Sequence, residues 1–422
     1  MKLPFPILTL LAVTSIVILA GCKTSTETQT PLTVKQGITG TVTASDTHSP
    51  ISGVTVTLSA PAAKQTTTNS QGGYLFDNVP VGDYTVSFSK SGYGDQSQTV
   101  HVDSGTNNIL NVSLISASSA GIVSFHVIDA RTGLPIPGVL VNCYVNRDSL
   151  VTDAQGNVQF AFTSYSSPAG FTFRKQNYSS ELKPDVSIGV GFPVHDTISM
   201  VRFTDYLVCD YRFAGNFLDS SGNGHNATQH GTKFVTDRFG TASGALQFNG
   251  TTDYVSVADA ADLNFGKTTD FTIGVWLNNP STQASANAYV INKSPTNPNP
   301  FFGYQLIFET SNGVYTRSTA GTTYGSLYTR HFHIGGDNLW HFCCVVFKRS
   351  GKITVYFDGV LVEEVADPNG YLKGDIKTAA DLVIGGTGSA LNAYKGMLDD
   401  VKIYGVGLDI DAVNQVYHEN GW

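Results

Sequence analysis

The sequence predicts an all-β chain: two small antiparallel β-sandwiches followed by a larger two-sheet β-sandwich. Three observations lead there. Charged residues make up only 14% of the chain while aromatics reach 11% and glycines number 43, a balance that favours strands and tight turns over helices. A patterned block recurs at an offset of about 85 residues, the length of a small domain. Short alternating or apolar runs bounded by turn residues fill the remainder. At 422 residues the chain exceeds one ordinary domain. Its net charge of -8, with no basic run, excludes nucleic acid as a partner, because phosphate binding needs a clustered Lys/Arg surface.

Residues 1–22 are an address. Met1-Lys2 supplies a minimal positive start, Pro4 to Ala20 is apolar, and the stretch ends in Leu19-Ala20-Gly21-Cys22. A short apolar region closed by small residues reads as a signal peptide, and it falls short of the roughly 20 residues that span a bilayer. The small pair before Cys22 resembles the bacterial lipobox. That resemblance implies cleavage before Cys22 and lipidation of its thiol, where each buried CH₂ contributes about 0.8 kcal/mol of membrane affinity. An uncleaved anchor or an ordinary secretory signal is the alternative. Lys23 follows, with no Asp of the kind associated with inner-membrane retention, so the resemblance points to the outer membrane, on either face. Residues 23–36, rich in Thr, Ser and Gln, read as a flexible tether.

The repeat covers 37–116 and 119–202. Pro50-Ile51-Ser52-Gly53-Val54-Thr55-Val56 returns as Pro135-Ile136-Pro137-Gly138-Val139-Leu140-Val141. Thr68-Asn69-Ser70-Gln71-Gly72-Gly73-Tyr74-Leu75-Phe76 returns as Thr152-Asp153-Ala154-Gln155-Gly156-Asn157-Val158-Gln159-Phe160. Each unit opens on an alternating strand, around Ile38 and around Val123. With Val79-Pro80-Val81-Gly82-Asp83-Tyr84, the first unit resembles the carboxypeptidase regulatory-like (transthyretin-like) domain along nearly its whole length. The second follows the same pattern to Phe160 and then departs, with Thr163 to Gly170 in place of the Pro-Gly turn. The resemblance implies spacer or accessory modules. The zinc peptidase such modules sometimes accompany needs paired His and Glu ligands, and the chain has no His-x-x-Glu.

From 205 to 422 the landmarks change. Tyr211-Arg212-Phe213 leads into Asp219-Ser220-Ser221-Gly222-Asn223-Gly224. Ala245-Leu246-Gln247-Phe248-Asn249-Gly250, the alternating Phe271 to Trp276, and a run from Leu339 to Phe347 follow. Lys352 to Phe357 ends in the hairpin dipeptide Asp358-Gly359. Leu382 to Gly386 and Gly396 to Tyr404 close the set. In that order the motifs resemble the LamG-like jelly roll of the concanavalin A-like lectin/glucanase superfamily. A short helix is expected between Leu408 and Glu419, where Leu408, Ala412, Val413 and Val416 recur at helical spacing.

Several residues are candidates for chemistry. Asp219-x-Ser221-x-Asn223-Gly224 presents oxygens at alternate positions like half a calcium loop, but His230 stands where an EF-hand needs an acid. The same residues equally suit an Asx-turn hairpin. The LamG-like resemblance implies a structural calcium near the paired chain ends, with Asp399 or Asp400 as its acid and Asp253 a weaker candidate. The resemblance departs at Ala214, where members of the family often have an Asp. Tyr304, Tyr315, Tyr324 and Tyr328 lie in the least periodic stretch of this module, where loops would offer ring faces to a sugar. Tyrosine is also common strand filler, and Trp276 and Trp340 read as core. His331 and His333 share a strand face and read as a surface pair. Cys343 and Cys344 are adjacent, so at most one faces the core. A Cys209–Cys343 disulfide is open to an exported chain, as are free buried thiols.

Glycoside hydrolysis needs two carboxyl groups set across one bond. The superfamily's Glu-x-Asp-x-x-Glu is absent, and Glu363-Glu364 point to opposite faces. No nucleophile elbow, P-loop or dinucleotide motif occurs. The expectation is a lipid-anchored envelope protein without catalytic machinery, whose terminal module binds a glycan or a surface protein. A structural or adhesion subunit is the rival reading, and a glycoside hydrolase the remote one.

Overall fold

The computed structural model describes residues 36–116, 121–162, 168–190, 192–280, 283, 287–295, 302–309, 313–320, 327–329, 336–388 and 392–421. Cys22, Tyr324, His331, His333 and Trp422 lie outside them. Among the described residues no helix is long and apolar enough to cross a membrane.

The first module runs β1 (Gly37–Ala44), β2 (Thr55–Leu58), β3 (Gln65–Thr67), β4 (Gly73–Asp77), β5 (Gly82–Ser89), β6 (Gln96–Val102), β7 (Asn107–Ile109) and β8 (Val112–Leu114). β1 pairs antiparallel with β4 and parallel with β7 and β8. The facing sheet has the order β3-β2-β5-β6. The second module runs β9 (Gly121–Asp129), β10 (Leu140–Cys143), β11 (Ser149–Val151), β12 (Asn157–Phe162), β13 (Ala169–Arg174), β14 (Glu181–Val186) and β15 (Val194–Met200). Its sheets, β12-β9-β15 and β11-β10-β13-β14, reproduce the first module's order, with β15 parallel to β9.

The recurring residues form the same hydrogen bonds twice. Thr68 Oγ1 accepts from the Val54 N–H at 2.9 Å and donates to the Ile51 carbonyl at 2.7 Å. Thr152 does the same with Val139 at 2.9 Å and Ile136 at 2.7 Å. One residue on, Asn69 accepts from the Gln71 and Gly73 amides, and Asp153 from those of Gln155 and Asn157. The turn glycines, Gly72 and Gly156, have φ of +73° and +76°. A Cβ on either would meet a β1 or β9 carbonyl oxygen at 2.4 or 2.5 Å, so no larger residue fits. Although the second module lacks the Pro-Gly turn, Phe171 and Phe173 of β13 complete its core. Both rings meet Phe125 edge-on, at 4.8 and 4.9 Å.

The third module opens with β16 (Leu207–Tyr211), β17 (Thr228–His230), β18 (Lys233–Val235), β19 (Ala245–Asn249), β20 (Tyr254–Val257), β21 (Phe271–Pro280) and β22 (Asn287–Lys293). It continues with β23 (Phe302–Glu309), β24 (Gly313–Ala320), β25 (Leu327–Thr329), β26 (Asp337–Lys348), β27 (Lys352–Phe357), β28 (Val360–Ala366), β29 (Leu382–Ile384) and β30 (Lys395–Tyr404). One sheet is β18-β19-β30-β21-β26-β27-β28 with β16 also on β30; the other is β17-β20-β29-β22-β23-β24-β25. At the β27–β28 turn, Asp358 and Gly359 both take positive φ, as a tight hairpin requires. Between the sheets Phe271 lies stacked between Phe265 and Phe347, each 4.3 Å away. Within its described residues, the stretch expected to be loops is strand instead: β22 to β25 pair in sequence. Its alternation is hard to see because the face away from the core carries buried polar residues, Asn292, Ser294 and Gln305.

A second apolar layer covers the outer face of the larger sheet. Trp276, Phe342, Cys344, Val346 and Tyr404 face helix α1 (Ile410–Tyr417), which buries Ala412, Val413 and Val416. Asp409 caps the helix by accepting from the Ala412 N–H at 2.8 Å. Trp276 is buried as expected, but in this outer layer and not between the sheets.

The adjacent cysteines do point apart, Cys343 into the main core and Cys344 into the outer layer. The Cys209–Cys343 disulfide does not form. Both are free buried thiols, and burial pushes Cys343 up to about 12, which keeps it protonated and inert.

Candidate functional site

In an antiparallel ladder, directly paired residues share a face. On the outer face of the larger sheet this places Trp276 level with Phe342 and Asp399. The next row is Gln247, Met397, Asn278 and Trp340. Helix α1 covers one end of that face. At the other end a concavity of about 380 Å³ remains open, lined by Lys233, Gln247, Asn249, Asn278, Asn338 and Lys395 among others.

The groups in this concavity divide by what they already do. Asn278 Nδ2 donates to the Asn338 carbonyl at 2.9 Å. Asn249 Oδ1 accepts from the Thr251 and Thr252 amides and so belongs to its own turn. Gln247, Lys233 and Lys395 are exposed, and no side-chain hydrogen bond or ion pair engages them among the described residues. One amide and two ammonium groups are therefore available to hydroxyls and to negative charge. Sequence reading missed all three, because Gln247 looks like the polar half of an alternating strand. Only the β19-β30-β21 pairing puts it beside Met397 and Asn278.

Beside this concavity the outer face holds a charged cluster. Arg238 Nη1 lies 2.5 Å from Asp399 Oδ2, and Nη2 lies 2.5 Å from Asp400 Oδ2. The three side chains are 1%, 3% and 12% exposed. The guanidinium carbon sits 4.5 Å from the Trp276 ring centre and 4.3 Å from that of Phe239. Consecutive strand residues normally point to opposite faces. Here the register slips between Gly274 and Trp276 opposite this pair, and Asp400 takes φ of +42°. The bulge turns both carboxylates onto one guanidinium. Burial, then the Asp400 charge, push the Asp399 carboxyl above the usual carboxylate range, and Arg238 opposes them.

The expected calcium ligands do not converge. Asp399 and Asp400 are occupied by Arg238, and a dication beside a guanidinium would be repelled. Asp219 accepts from the Asp210, Ser221 and His225 amides and from the Ser221 hydroxyl, so its loop is the Asx-turn alternative. Asn223 turns its Nδ2 donor onto the Leu207 and Val208 carbonyls. Asp253 Oδ2 accepts from the Asn249 N–H at 3.0 Å. Among the described residues no group of three or more His, Cys, Asp or Glu could hold a metal ion. The residues present do not fit a calcium ion.

Of the four candidate tyrosines, Tyr304 is turned away from any ligand surface. Tyr304 is 1% exposed and packs on Phe265 and Phe271, and its hydroxyl donates to the Leu263 carbonyl at 3.2 Å. It is core, not ligand surface. In the ladder Tyr315 stands opposite Ile307 and Tyr328 opposite Arg317. Tyr324 lies outside the described residues. A second hollow, about 580 Å³, opens between the first two modules and is lined by Lys90, Asp95, His126, Asp153, Asn157 and His195 among others. Sequence reading did not reach it, since it exists only where two modules meet.

Residues 37–115 match the model of the carboxypeptidase regulatory-like domain, and residues 249–414 match that of the concanavalin A-like lectin/glucanases superfamily. No curated protein matches the chain. Among solved structures, the binding domain of Paraclostridial Mosquitocidal Protein 1 is 17% identical, with a TM-score of 0.43, over 51% of this chain and 52% of that one. The receptor binding domain of botulinum neurotoxin C/D mosaic serotype is 15% identical with a TM-score of 0.42, over the same shares. The botulinum neurotoxin serotype D ligand binding domain, in complex with N-acetylneuraminic acid, is 16% identical with a TM-score of 0.41, over 52% of each chain. The chain thus spans about half the length of these structures. It carries a carboxypeptidase regulatory-like domain at residues 37–115 and, at its C-terminal end, a domain of the concanavalin A-like lectin/glucanase superfamily.

Proposed function

We propose that the third module binds a glycan of the cell surface or its surroundings through the open end of its larger sheet. The two preceding modules act as spacers from a lipid anchor on Cys22 in the outer membrane. The observation that carries this reading is the concavity itself, with Gln247, Lys233 and Lys395 exposed and uncommitted beside the fixed amides of Asn278 and Asn249. Amide side chains match sugar hydroxyls as both donors and acceptors. Two ammonium groups against the single carboxylate of Asp253 favour a glycan that carries a carboxylate or sulfate. The leader ending in Leu19-Ala20-Gly21-Cys22 supports the anchor.

The test is a glycan array probed with the mature chain, made soluble by Cys22→Ser, alongside the Gln247→Ala/Lys395→Ala variant. Saturable binding to acidic glycans is expected, and the variant should lose roughly tenfold or more in affinity, the effect of removing one charge-assisted contact. A folded chain that binds no glycan refutes the reading. Binding that the variant leaves intact refutes the assignment of the site. For the anchor, a labelled fatty acid should enter the wild type in cells and be absent from Cys22→Ala.

A further inference from the structure

We infer that Arg238 is the resident cation of the third module, holding together a pair of carboxylates that would otherwise need a metal ion. Asp399 and Asp400 are buried side by side on one face because the β30 bulge brings them there. Two carboxylates in that position repel each other and are poorly hydrated, so a positive group must stand between them. The guanidinium does so with one N–H on each, both at 2.5 Å. Its planar fork suits two oxygens at once in a way that an ammonium does not. The ring of Trp276 closes one side and that of Phe239 lies against it as well, so water cannot take Arg238's place. The turn that carries Arg238 is built for the task. Asp237 Oδ1 accepts from the Phe239 and Thr241 amides, which fixes the backbone on both sides of the arginine.

This assigns Arg238 a job that links three distant parts of the chain. It pins the 237–241 turn to β30 and to Trp276 of β21, immediately beside the open concavity. A sandwich built this way is independent of calcium. Its stability depends on one covalently attached charge and is the same whether divalent ions are plentiful or scarce.

The test is the melting temperature of the full mature chain in millimolar calcium and in chelator. Wild type should melt within about 1 °C in the two conditions, because no ion contributes. Arg238→Met should lower the third module's transition by roughly 10 °C, the effect of leaving buried carboxylates unpaired. Adding Asp399→Asn and Asp400→Asn to Arg238→Met should restore most of that loss, since the charges that needed a partner are gone. Should Arg238→Met fail to fold, the wild type still decides the matter through terbium luminescence, which nearby Trp276 would sensitise. Calcium-competed luminescence, or a calcium-dependent melting temperature, that Asp399→Asn/Asp400→Asn abolishes would overturn the assignment. So would an Arg238→Met chain as stable as wild type.

Discussion

Replacing Thr152 with valine removes one oxygen and nothing else of comparable size. That oxygen is 5% exposed with its residue, accepts the hydrogen bond from the Val139 N–H, and donates to the Ile136 carbonyl. Valine keeps the shape but leaves a buried donor and a buried acceptor without partners. At roughly 1–3 kcal/mol for each unsatisfied group, the second module should lose about 3 kcal/mol. Serine keeps both bonds and drops one methyl, so Thr152→Ser should lose only about 1 kcal/mol. Because three modules do not unfold as one transition, the assay is hydrogen exchange read on peptides from β9 and β12. Amides that exchange through unfolding of the whole module should speed up about a hundredfold in the valine variant and only a few-fold in the serine one. If the two variants exchange alike, the hydroxyl relay does not hold the module and the account of the repeat is wrong. Thr68→Val should do the same in the first module, since its bonds are the same.

Asp95, half-buried at the cleft between the first two modules, has its carboxyl pushed up to about 6 by burial, against a hydrogen bond from Ser89 and with a smaller push from Asp153. The folded chain therefore binds more protons than the unfolded chain between about pH 4 and 6, and stability falls as pH rises through that window. Asp95→Asn should raise the first module's melting temperature above pH 6 and change nothing below pH 4; a gain at both would locate the effect elsewhere. Asp409→Ala removes the cap of α1 and also the acceptor for the Ser180 N–H at 2.6 Å and hydroxyl at 3.0 Å in the second module. It should destabilise the helix by about 1 kcal/mol and loosen the second module from the third, which small-angle scattering would register as a larger radius of gyration. An unchanged radius would mean that the remaining contacts of Arg174 and Gln415 with the neighbouring module suffice.

Local patterns were legible in the sequence wherever a residue's role is set by its near neighbours. Asp358-Gly359 closes a hairpin because both positions require positive φ. Ala412, Val413 and Val416 pack as one face of α1, with Leu408 buried beside them just before the helix cap. The Thr-Asn and Thr-Asp pairs of the repeat mark turns, and the cysteine pair divides between two layers because strand side chains alternate. Tyr304 was misread for the complementary reason. Its ring looks the same in sequence whether it faces a sugar or Phe271, and only the pairing of β22 with β23 turns it inward.

The all-β class and the expectation of sandwiches thus follow from composition and periodicity, which report on short-range physics: backbone preference, turn geometry and the period of side-chain exposure. What Asp399 and Asp400 do was decided elsewhere in the fold. An acid followed by an acid has the same sequence appearance whether its partner is calcium or an arginine 161 residues away. The choice falls to Arg238 because a one-residue bulge in β30 and the closing of the sheet bring that side chain under Trp276, and long-range placement of charge leaves no trace in local pattern. The open concavity beside it has the same origin, since Gln247, Asn278 and Lys395 become neighbours only when β19, β30 and β21 lie side by side.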